Sequence, residues 1–499
     1  MRYPLALFFV ATLLLGSAPK ASAIEFKARG AWEMYFNAGR GTFYNTDRDA
    51  RNTGTSRDAF EANTRLRLRL EAIASENLSG TVQFEIGTVQ WGNGPNGGAL
   101  GTDGINVEVK HAYLDWLVPD TKLHIRMGLQ AITLPNVAGG SAVFDDDIAA
   151  IVLSYSFNEN VGLTALWARP FNDNYSPGIG NNEPANHVDN YDLFMLSMPL
   201  TFDGIRLVPW LMTGMIGRNM LFSEIHATKS AGYVPRGIYP VDLAQFGGRN
   251  YNLYNDYSIM FWAGLPLRIS YLDPFSLEID LNYGYSSGWG KYSDAAGRRN
   301  DTRREGFLVK ALAEYKLDWG IPGILGWYAS GDDGDPRNGS ERMPTVSPVA
   351  TFTSFGFKAY QGHFSRVQIG ESVDTTYTGT WGLGAQLRNL SFIDDLSHTL
   401  RLVYFRGTND ASMASKLGPT GWNQYSAGVF ASTWGGLYLT TNDYLIEFNL
   451  DSRYAIYENL EAFVELGYII NGVDKDSWHW QGNQKGDGWK AVLNLRYSF

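Results

Sequence analysis

The segment Arg65–Ala72 reads RLRLRLEA, with charged side chains at odd positions and apolar side chains at even positions. A period of two is the pattern of a β-strand, whose successive side chains point to opposite faces of the sheet. One face of this strand is therefore basic up to its acidic end at Glu71, and the other is apolar. The basic face needs water or counter-charges, and the apolar face needs a protein core or lipid. These needs decide what kind of sheet the chain can form.

The same alternation recurs along the chain, in Lys122–Gln130, Ser276–Tyr283, Glu447–Asp451 and the last nine residues, Ala491–Phe499. In a soluble sandwich the apolar faces would meet in a core. In a membrane barrel they would face lipid, and the polar faces would line a lumen. The alternation fits both arrangements, so the lengths of the connections between the strands must distinguish a sandwich from a barrel.

Tight connections, such as 75–77 and 119–120, alternate with long Gly-, Asn-, Asp- and Ser-rich loops near 217–254, 331–376 and 409–439. This asymmetry is typical of an outer-membrane barrel. We predict an all-β transmembrane antiparallel β-barrel of about 18 strands, with 16 strands as the alternative count. A barrel of 16 to 18 strands leaves an aqueous channel. Short periplasmic turns and long extracellular loops would join them. The predicted strands lie near 24–37, 59–73, 78–90, 105–118, 121–132, 148–157, 160–169, 190–201, 204–216, 255–270, 274–287, 304–318, 321–330, 377–390, 396–408, 440–456, 459–471 and 488–499.

In such a barrel the basic face of RLRLRLEA must point inward, because a guanidinium group in hydrocarbon costs about 2–4 kcal/mol near the midplane. The same argument turns other charged strand residues into the lumen. The predicted basic pore-lining residues are Arg65, Arg67, Arg69, Lys122, His124 and Arg126, and the predicted acidic ones include Glu71, Glu278 and Asp280. For any one of these, a place in a solvated ion-pair network of the wall is the alternative.

The connection 133–147 is moderately long, is more apolar than a solvent loop and ends in Asp145, Asp146 and Asp147. We expect it to fold into the lumen and to bring these acids opposite the basic face of RLRLRLEA and Arg126. An ordinary surface loop with a solvated acidic end is the alternative.

Aromatic residues gather near the predicted strand ends, where membrane barrels carry interfacial girdles. Trp32, Tyr35, Trp116, Trp327 and Tyr497 are examples. The girdle interpretation is favoured over an ordinary aromatic core.

Residues 1–23 have the basic start, apolar run and small-residue end of a cleaved signal peptide, so we expect one barrel domain over 24–499. The formal net charge of −10 disfavours a nucleic-acid partner. The chain has no Cys, which excludes disulfides and thiolate metal sites.

Three local motifs match without their structural context. Gly92–Gly97 fits G-x-G-x-x-G, but Pro95 opposes the helix that a dinucleotide needs, and Gly284–Gly288 fits G-x-S-x-G without the strand-to-helix turn. Asp332–Gly339 is rich in oxygen ligands but lacks the final Glu of an EF-hand. We predict no cofactor, no catalytic residues and no metal site, with a calcium ion in that last loop left open.

The chain resembles the outer-membrane homotrimeric porins of sulfate-reducing, Desulfovibrio-type bacteria, within the general bacterial porins. The stretches that carry the resemblance are Ile24–Gly30, Ala112–Trp116, Tyr328–Pro336, Ser340–Pro344 and the terminal Phe499. The resemblance implies a homotrimer in the bilayer of the outer membrane and passive diffusion of small hydrophilic solutes and ions. It also implies that the terminal Phe, with the lipid-facing Leu495 and Tyr497, serves as a signal for the insertion machinery.

The last strand should pair with the first, near 24–37, to close the barrel and remove the sheet edge. The function favoured by these observations is a diffusion porin. A substrate-selective channel with a saturable site is the alternative, and a barrel enzyme or an adhesin forms a third class.

Overall fold

The computed structural model describes residues 24–40, 59–104, 106–172, 190–217, 251–253, 255–293, 299–335, 337–357, 376–417, 438–474, 476–477 and 487–499. The proposed signal peptide, 1–23, lies outside the described residues. The main sheet is a closed barrel of eighteen antiparallel strands, two of which are each interrupted once. The predicted fold class and the larger of the two predicted strand counts are confirmed.

The barrel strands are numbered here in chain order. They are β1 (Glu25–Arg40), β2 (Ala59–Ser75), β3 (Leu78–Gln90), β4 (Val107–Leu117), β5 (Leu123–Thr133), β6 (Asp145–Ser156), β7 (Gly162–Asn172), β8 (Asn190–Ser197 and Leu200–Phe202), β9 (Ile205–Leu207 and Trp210–Gly217), β10 (Tyr257–Ile269), β11 (Phe275–Ser286), β12 (Arg304–Tyr315), β13 (Ile321–Ala329), β14 (Thr380–Ile393), β15 (Leu396–Gly407), β16 (Tyr444–Tyr457), β17 (Leu460–Gly472) and β18 (Gly488–Ser498).

The barrel closes between its first and last strands. β1 and β18 pair antiparallel from Ala31 opposite Ser498 to Arg40 opposite Trp489. The backbone N–H of Phe499 also donates to the Gly30 carbonyl at 3.0 Å, and the Gly30 N–H donates to the Phe499 carbonyl at 2.9 Å. The chain end is therefore held in the sheet and leaves no open edge.

The two faces of the strands follow the predicted parity. On β2, Leu70 is exposed on the outer surface, and Arg65 and Arg67 face inward toward carboxylates of the neighbouring strands. On β18, Leu493 and Tyr497 are exposed on the outer surface, whereas Asn494 is fully buried inside. An apolar outer surface of this kind belongs in hydrocarbon.

The strands β8 and β9 are interrupted side by side, at Pro199 and Pro209. Proline has no N–H to give to the ladder, so a strand breaks locally around it. The carbonyls of both prolines still accept hydrogen bonds, from Gly162 N–H at 3.0 Å and Met198 N–H at 3.0 Å. The two pieces of each strand therefore stay in one barrel wall.

The connections differ in length at the two ends of the barrel. The short ones include the 76–77 turn between β2 and β3 and the 458–459 turn between β16 and β17, whereas 330–379 and 408–443 are long. In outer-membrane barrels the short turns are periplasmic. Outside the barrel sheet, Tyr251–Leu253, Gly290–Ser293 and Arg299–Asp301 form a small sheet, and Ser412–Leu417 is a short helix. No helix in the described ranges is long and apolar enough to cross a membrane.

Two aromatic residues that the sequence assigned to the interfacial girdles lie inside the barrel instead. Tyr35 is buried next to Glu33, and Trp327 is buried opposite Lys310 on the neighbouring strand. Each shares the inward parity of its strand, which proximity to a strand end does not reveal. Trp32 and Tyr497 are exposed on the outer surface, as a girdle requires.

Candidate functional site

Two connections from the long-loop end enter the barrel and run beside each other. The first inward segment is 134–144, between β5 and β6, and the second inward segment is 342–357, between β13 and β14. Val349 N–H donates to the Ser141 carbonyl at 2.9 Å, and Thr351 N–H donates to the Gly139 carbonyl at 2.9 Å. The connection after β5 thus takes the inward path that the sequence favoured, and it has a partner that the sequence did not reveal.

A buried ion pair fixes the first inward segment to the wall. The Asp280 carboxylate on β11 accepts hydrogen bonds from the backbone N–H groups of Val137, at 3.2 Å, and Ala138, at 2.8 Å. Lys310 Nζ on β12 lies 3.3 Å from that carboxylate and donates to the carbonyls of Ala138 and Gly140. Asp280, predicted to line an open pore, is instead buried beneath the segment, because it satisfies the segment's backbone.

Glycine is required where this segment turns. Gly139 and Gly140 both have positive φ, +65° and +86°. A Cβ at Gly139 would lie 2.7 Å from Tyr377 Oη and 2.9 Å from the Phe352 ring. The Gly-Gly pair therefore permits both the turn and the close approach of the second inward segment.

A second set of buried polar residues fixes the second inward segment. The Glu447 carboxylate on β16 accepts from Phe355 N–H and Gly356 N–H, both at 3.0 Å. Ser354 Oγ donates to Asp451 at 2.8 Å, and Lys490 on β18 donates to the Ser354 carbonyl. The carboxylates therefore act as acceptors for the backbone of the segment, which a strand pattern alone does not indicate.

Beneath the two segments, the inward faces of β8–β16 form what we call the packed wall. Its inward residues are largely apolar and buried, and two of its tryptophans bind the segments: Trp210 donates to the Pro135 carbonyl at 3.2 Å, and Trp262 to the Pro344 carbonyl at 2.8 Å. Near the short-turn end this wall carries charges, such as the Glu314–Arg388 pair. Other inward apolar residues of this wall are Met212, Met260, Leu308, Leu325, Trp327, Val403, Phe405 and Leu445.

The inward faces of β1–β5, and of β18 near its short-turn end, differ, and we call them the charged wall. Arg65 binds Glu33 at 2.7 Å, and Arg67 binds Glu85 at 2.7 Å. Near the short-turn end, Glu71 on β2 binds Arg29 at 3.0 Å. Arg65, predicted to be pore-lining, is largely buried by its pairing, whereas Arg67 stays partly exposed. The arginines of RLRLRLEA therefore lie inside the barrel, each in its own surroundings.

The next strands extend this wall. Arg126 forms two hydrogen bonds to Asp115, at 2.8 and 3.0 Å, and His124 Nε2 lies 2.8 Å from the same carboxylate. Tyr113 lies between two guanidinium groups, with Arg126 at 4.5 Å and Arg69 at 5.7 Å from its ring centre. Lys122 is exposed at the strand end, within 3.4 Å of the Phe157 carbonyl.

A cavity of about 550 Å³ lies along this wall, near the ends of β1 and β18. Arginines dominate its lining. The lining residues are Arg29, Gly30, Ala31, Glu33, Arg65, Arg67, Arg69, Gln83, Arg496, Ser498 and Phe499.

The acids at the end of the first inward segment have partners other than the arginines we expected. Asp147 binds Lys110 and His111, and its carboxylate lies 2.8 Å from His111 Nε2. Asp146 accepts from Ser347 Oγ at 2.8 Å, and Asp145 accepts from Thr133 Oγ1 at 2.7 Å. These three carboxylates anchor the start of β6.

Glu278, also predicted to line the pore, lies on β11 with Arg268 at 3.6 Å and is partly buried. Glu33 and Tyr113 also face the lumen, where they were not predicted. A single acid within the otherwise apolar stretch of β1 was the available signal for Glu33. For Tyr113 there was none, because a tyrosine suits either face of a barrel strand.

Two arginines bind acids of the oxygen-rich stretch that begins at Asp332. Arg337 binds Asp335 at 2.8 Å, and its side-chain hydrogen bond lowers the pKa of that carboxyl to about 2. Arg342 binds Asp332 at 3.0 Å. Within the described part of the chain, no group of three or more His, Asp or Glu side chains is placed to hold a metal ion.

A closed barrel of eighteen strands with inward-folded loops and an apolar outer surface defines the class of outer-membrane porin barrels. No protein-family model and no curated protein sequence matches the chain. Among solved structures, it is similar to a BenF-like porin from Pseudomonas fluorescens Pf-5, with a TM-score of 0.51 and 9% identity over 95% of this chain and 98% of that one. It is also similar to OccK1 (OpdK) of Pseudomonas aeruginosa, with a TM-score of 0.50 and 9% identity over the same shares. The chain thus has the fold of an outer-membrane porin.

Proposed function

We propose that this protein is an outer-membrane porin, a water-filled channel for the passive diffusion of small hydrophilic solutes and ions. The observation that carries the proposal is the cavity along the charged wall, of about 550 Å³, inside a closed barrel with an apolar outer surface. The inward segments cover the packed wall, so the solvated path follows the charged wall. Charges of both signs along such a path select solutes by charge and dipole.

Channel formation in planar bilayers and solute uptake by liposomes test this function. Purified protein should give discrete conductance steps, and neutral sugars should enter at rates that rise linearly with concentration and fall with sugar size. The absence of conductance and of uptake would contradict the proposal. Saturation with one solute would favour the substrate-selective alternative, which the arginine-lined cavity also supports.

The resemblance to porins of sulfate-reducing bacteria supports a homotrimer in the outer membrane, with a signal peptide at 1–23 and the mature barrel over 24–499. The lipid-facing Leu495 and Tyr497, together with Phe499 at the chain end, would be read by the insertion machinery. Deletion of Phe499 should lower the amount of folded barrel in the membrane, whereas Phe499→Tyr, which keeps the aromatic ring, should not. Normal insertion without Phe499 would contradict this role.

A further inference from the structure

We propose that Arg69 and Arg496 form a binding site for small dianions in the cavity of the charged wall, near the short-turn end of the barrel. The site rests on the proposed channel function and specifies a class of solute for it. Its observations are the charge balance of the cavity and the positions of these two guanidinium groups.

The cavity holds more arginines than carboxylates can neutralise. Five arginines line it, and three of them are paired: Arg65 with Glu33, Arg67 with Glu85 and Arg29 with Glu71. Within the described residues, neither Arg69 nor Arg496 forms an ion pair. Neither guanidinium group is therefore neutralised by a carboxylate in direct contact with it.

The neighbours of Arg496 explain why it stays unpaired. Arg496 lies opposite Glu33 on β1 and opposite Glu461 on β17. Glu33 is bound by Arg65, and Glu461 is bound by Arg453. Both carboxylates that the strand register offers to Arg496 are thus engaged by other arginines.

Arg69 has no carboxylate on either flank. It lies opposite Arg29 on β1 and opposite Gln83 on β3. One of its terminal nitrogens donates to Tyr113 Oη at 2.6 Å, which orients the guanidinium group. In Arg69 and in Arg496, Nε is shielded from solvent and has no acceptor among the described residues. Because Nε is closed to solvent in both residues, a bound oxyanion would be held by the terminal nitrogens of the two guanidinium groups, which are strong donors to carboxylates.

These features favour a small ligand with two negative charges. Guanidinium groups bind carboxylates and other oxyanions through paired hydrogen bonds. Two such groups attract a dianion more strongly than a monoanion, because the Coulomb energy scales with the ligand's charge. Phe499 is the one aromatic residue of the cavity lining, so the stacking surface that a sugar would use is small. Dicarboxylates and divalent inorganic oxyanions fit the site; neutral solutes would pass without being held.

Block of the chloride current by succinate and by acetate at pH 7.5 tests the site. In planar bilayers, succinate should halve the current of the native channel at about tenfold lower concentration than acetate, which corresponds to one charge-assisted interaction. In Arg69→Gln/Arg496→Gln that preference should vanish while conductance persists. Arg268→Gln/Arg388→Gln removes the same charge from inward-facing positions across the barrel and should keep the preference.

A further variant tests the charge balance itself. Arg453 does not line the cavity, but Arg453→Gln frees Glu461 to pair with Arg496 and should raise the half-blocking succinate concentration several-fold. Equal block of the native channel by succinate and acetate would overturn the site and leave the channel intact. If the native protein forms no channel, the proposed function fails. Calorimetric titration of succinate into the detergent-solubilised protein then decides the site, and absence of binding would overturn it.

Discussion

The charged wall and the packed wall are built from strands with the same two-residue period, yet their inward residues have opposite surroundings. On the charged wall, Arg67 stays partly exposed and lines a cavity, and Glu85 is its partner in an ion pair. On the packed wall, Trp262 and Phe405 are buried against the inward segments and their neighbours. Alternation therefore assigns a side chain to the inside of a barrel, but the connections that enter the barrel decide whether the inside is wet.

The buried charged residues of the two walls also differ in the groups that they bind. Asp280 and Lys310 lie under the first inward segment and satisfy its backbone. Arg65 and Glu33 satisfy each other across two strands. Loss of one charge on the packed wall should therefore release an inward segment from the wall. Loss of one charge on the charged wall should disturb only the residues around it.

The largest expected effect is that of Lys310→Ala. It leaves the Asp280 carboxylate buried and unpaired, which costs about 3–5 kcal/mol, and it frees the carbonyls of the first inward segment. The thermal unfolding midpoint should fall, and single-channel current should become noisier. The double variant Lys310→Met/Asp280→Asn removes both charges and should recover much of the stability. An unchanged midpoint in Lys310→Ala would refute the anchoring role of this pair.

A smaller effect is expected for Trp262→Phe on the packed wall. The change removes a hydrogen bond to the second inward segment and part of a fully buried ring, at about 1–3 kcal/mol. Trp32→Phe is the matched control, because Trp32 is 42% exposed on the outer surface and Trp262 is 0% exposed. Equal shifts of the unfolding midpoint in the two variants would break the distinction between packed and outer positions.

Arg67→Ala on the charged wall should affect selectivity more than stability. Partly exposed ion pairs contribute at most about 1 kcal/mol, so the unfolding midpoint should move little. The reversal potential in a KCl gradient should shift toward lower anion permeability, because the path loses a positive charge and Glu85 keeps only the more distant Arg65, at 3.9 Å. The same measurement on Trp262→Phe should give the native reversal potential. A large midpoint shift with native selectivity would reverse the assignments of the two walls.

The smallest effect concerns pH at the loop that leads into the second inward segment. Burial, with the nearby Asp332 and Asp333, raises the pKa of the Glu341 carboxyl. A carboxyl with a raised pKa binds its proton more tightly in the folded loop, so folding is favoured as pH falls through that pKa and disfavoured above it. Hydrogen exchange of 337–343, corrected for the intrinsic rate, should therefore be slightly slower at pH 5 than at pH 7. Glu341→Gln should remove the difference, and faster corrected exchange at pH 5 would contradict this sign.

The sequence predicted the barrel because local alternation and loop lengths carry that information. Arg65, Arg67 and Arg69 were assigned to the inner face by the cost of charge in lipid, and the pairing of β18 with β1 followed from the need to close the sheet. Neither argument required knowledge of distant contacts.

The interior could not be predicted in the same way. Asp280 holds Ala138, which is 142 residues away, and Lys490 holds Ser354, which is 136 residues away. Such pairs depend on where two loops cross the lumen, and a two-residue period contains no information about that path. For the same reason Trp327 was predicted in a girdle but lies inside, and the acids Asp145–Asp147 were expected near arginines that they do not bind.

Cysteine accessibility in the conducting channel tests most directly whether the charged wall alone borders the solvated path. The chain has no native Cys, so single cysteines report without background. Arg67→Cys should react rapidly with a small methanethiosulfonate reagent and change the conductance. Val403→Cys replaces a side chain of the packed wall that is 0% exposed, and it should stay unreactive in the folded barrel. Fast modification of Val403→Cys, or an inert Arg67→Cys, would contradict the account.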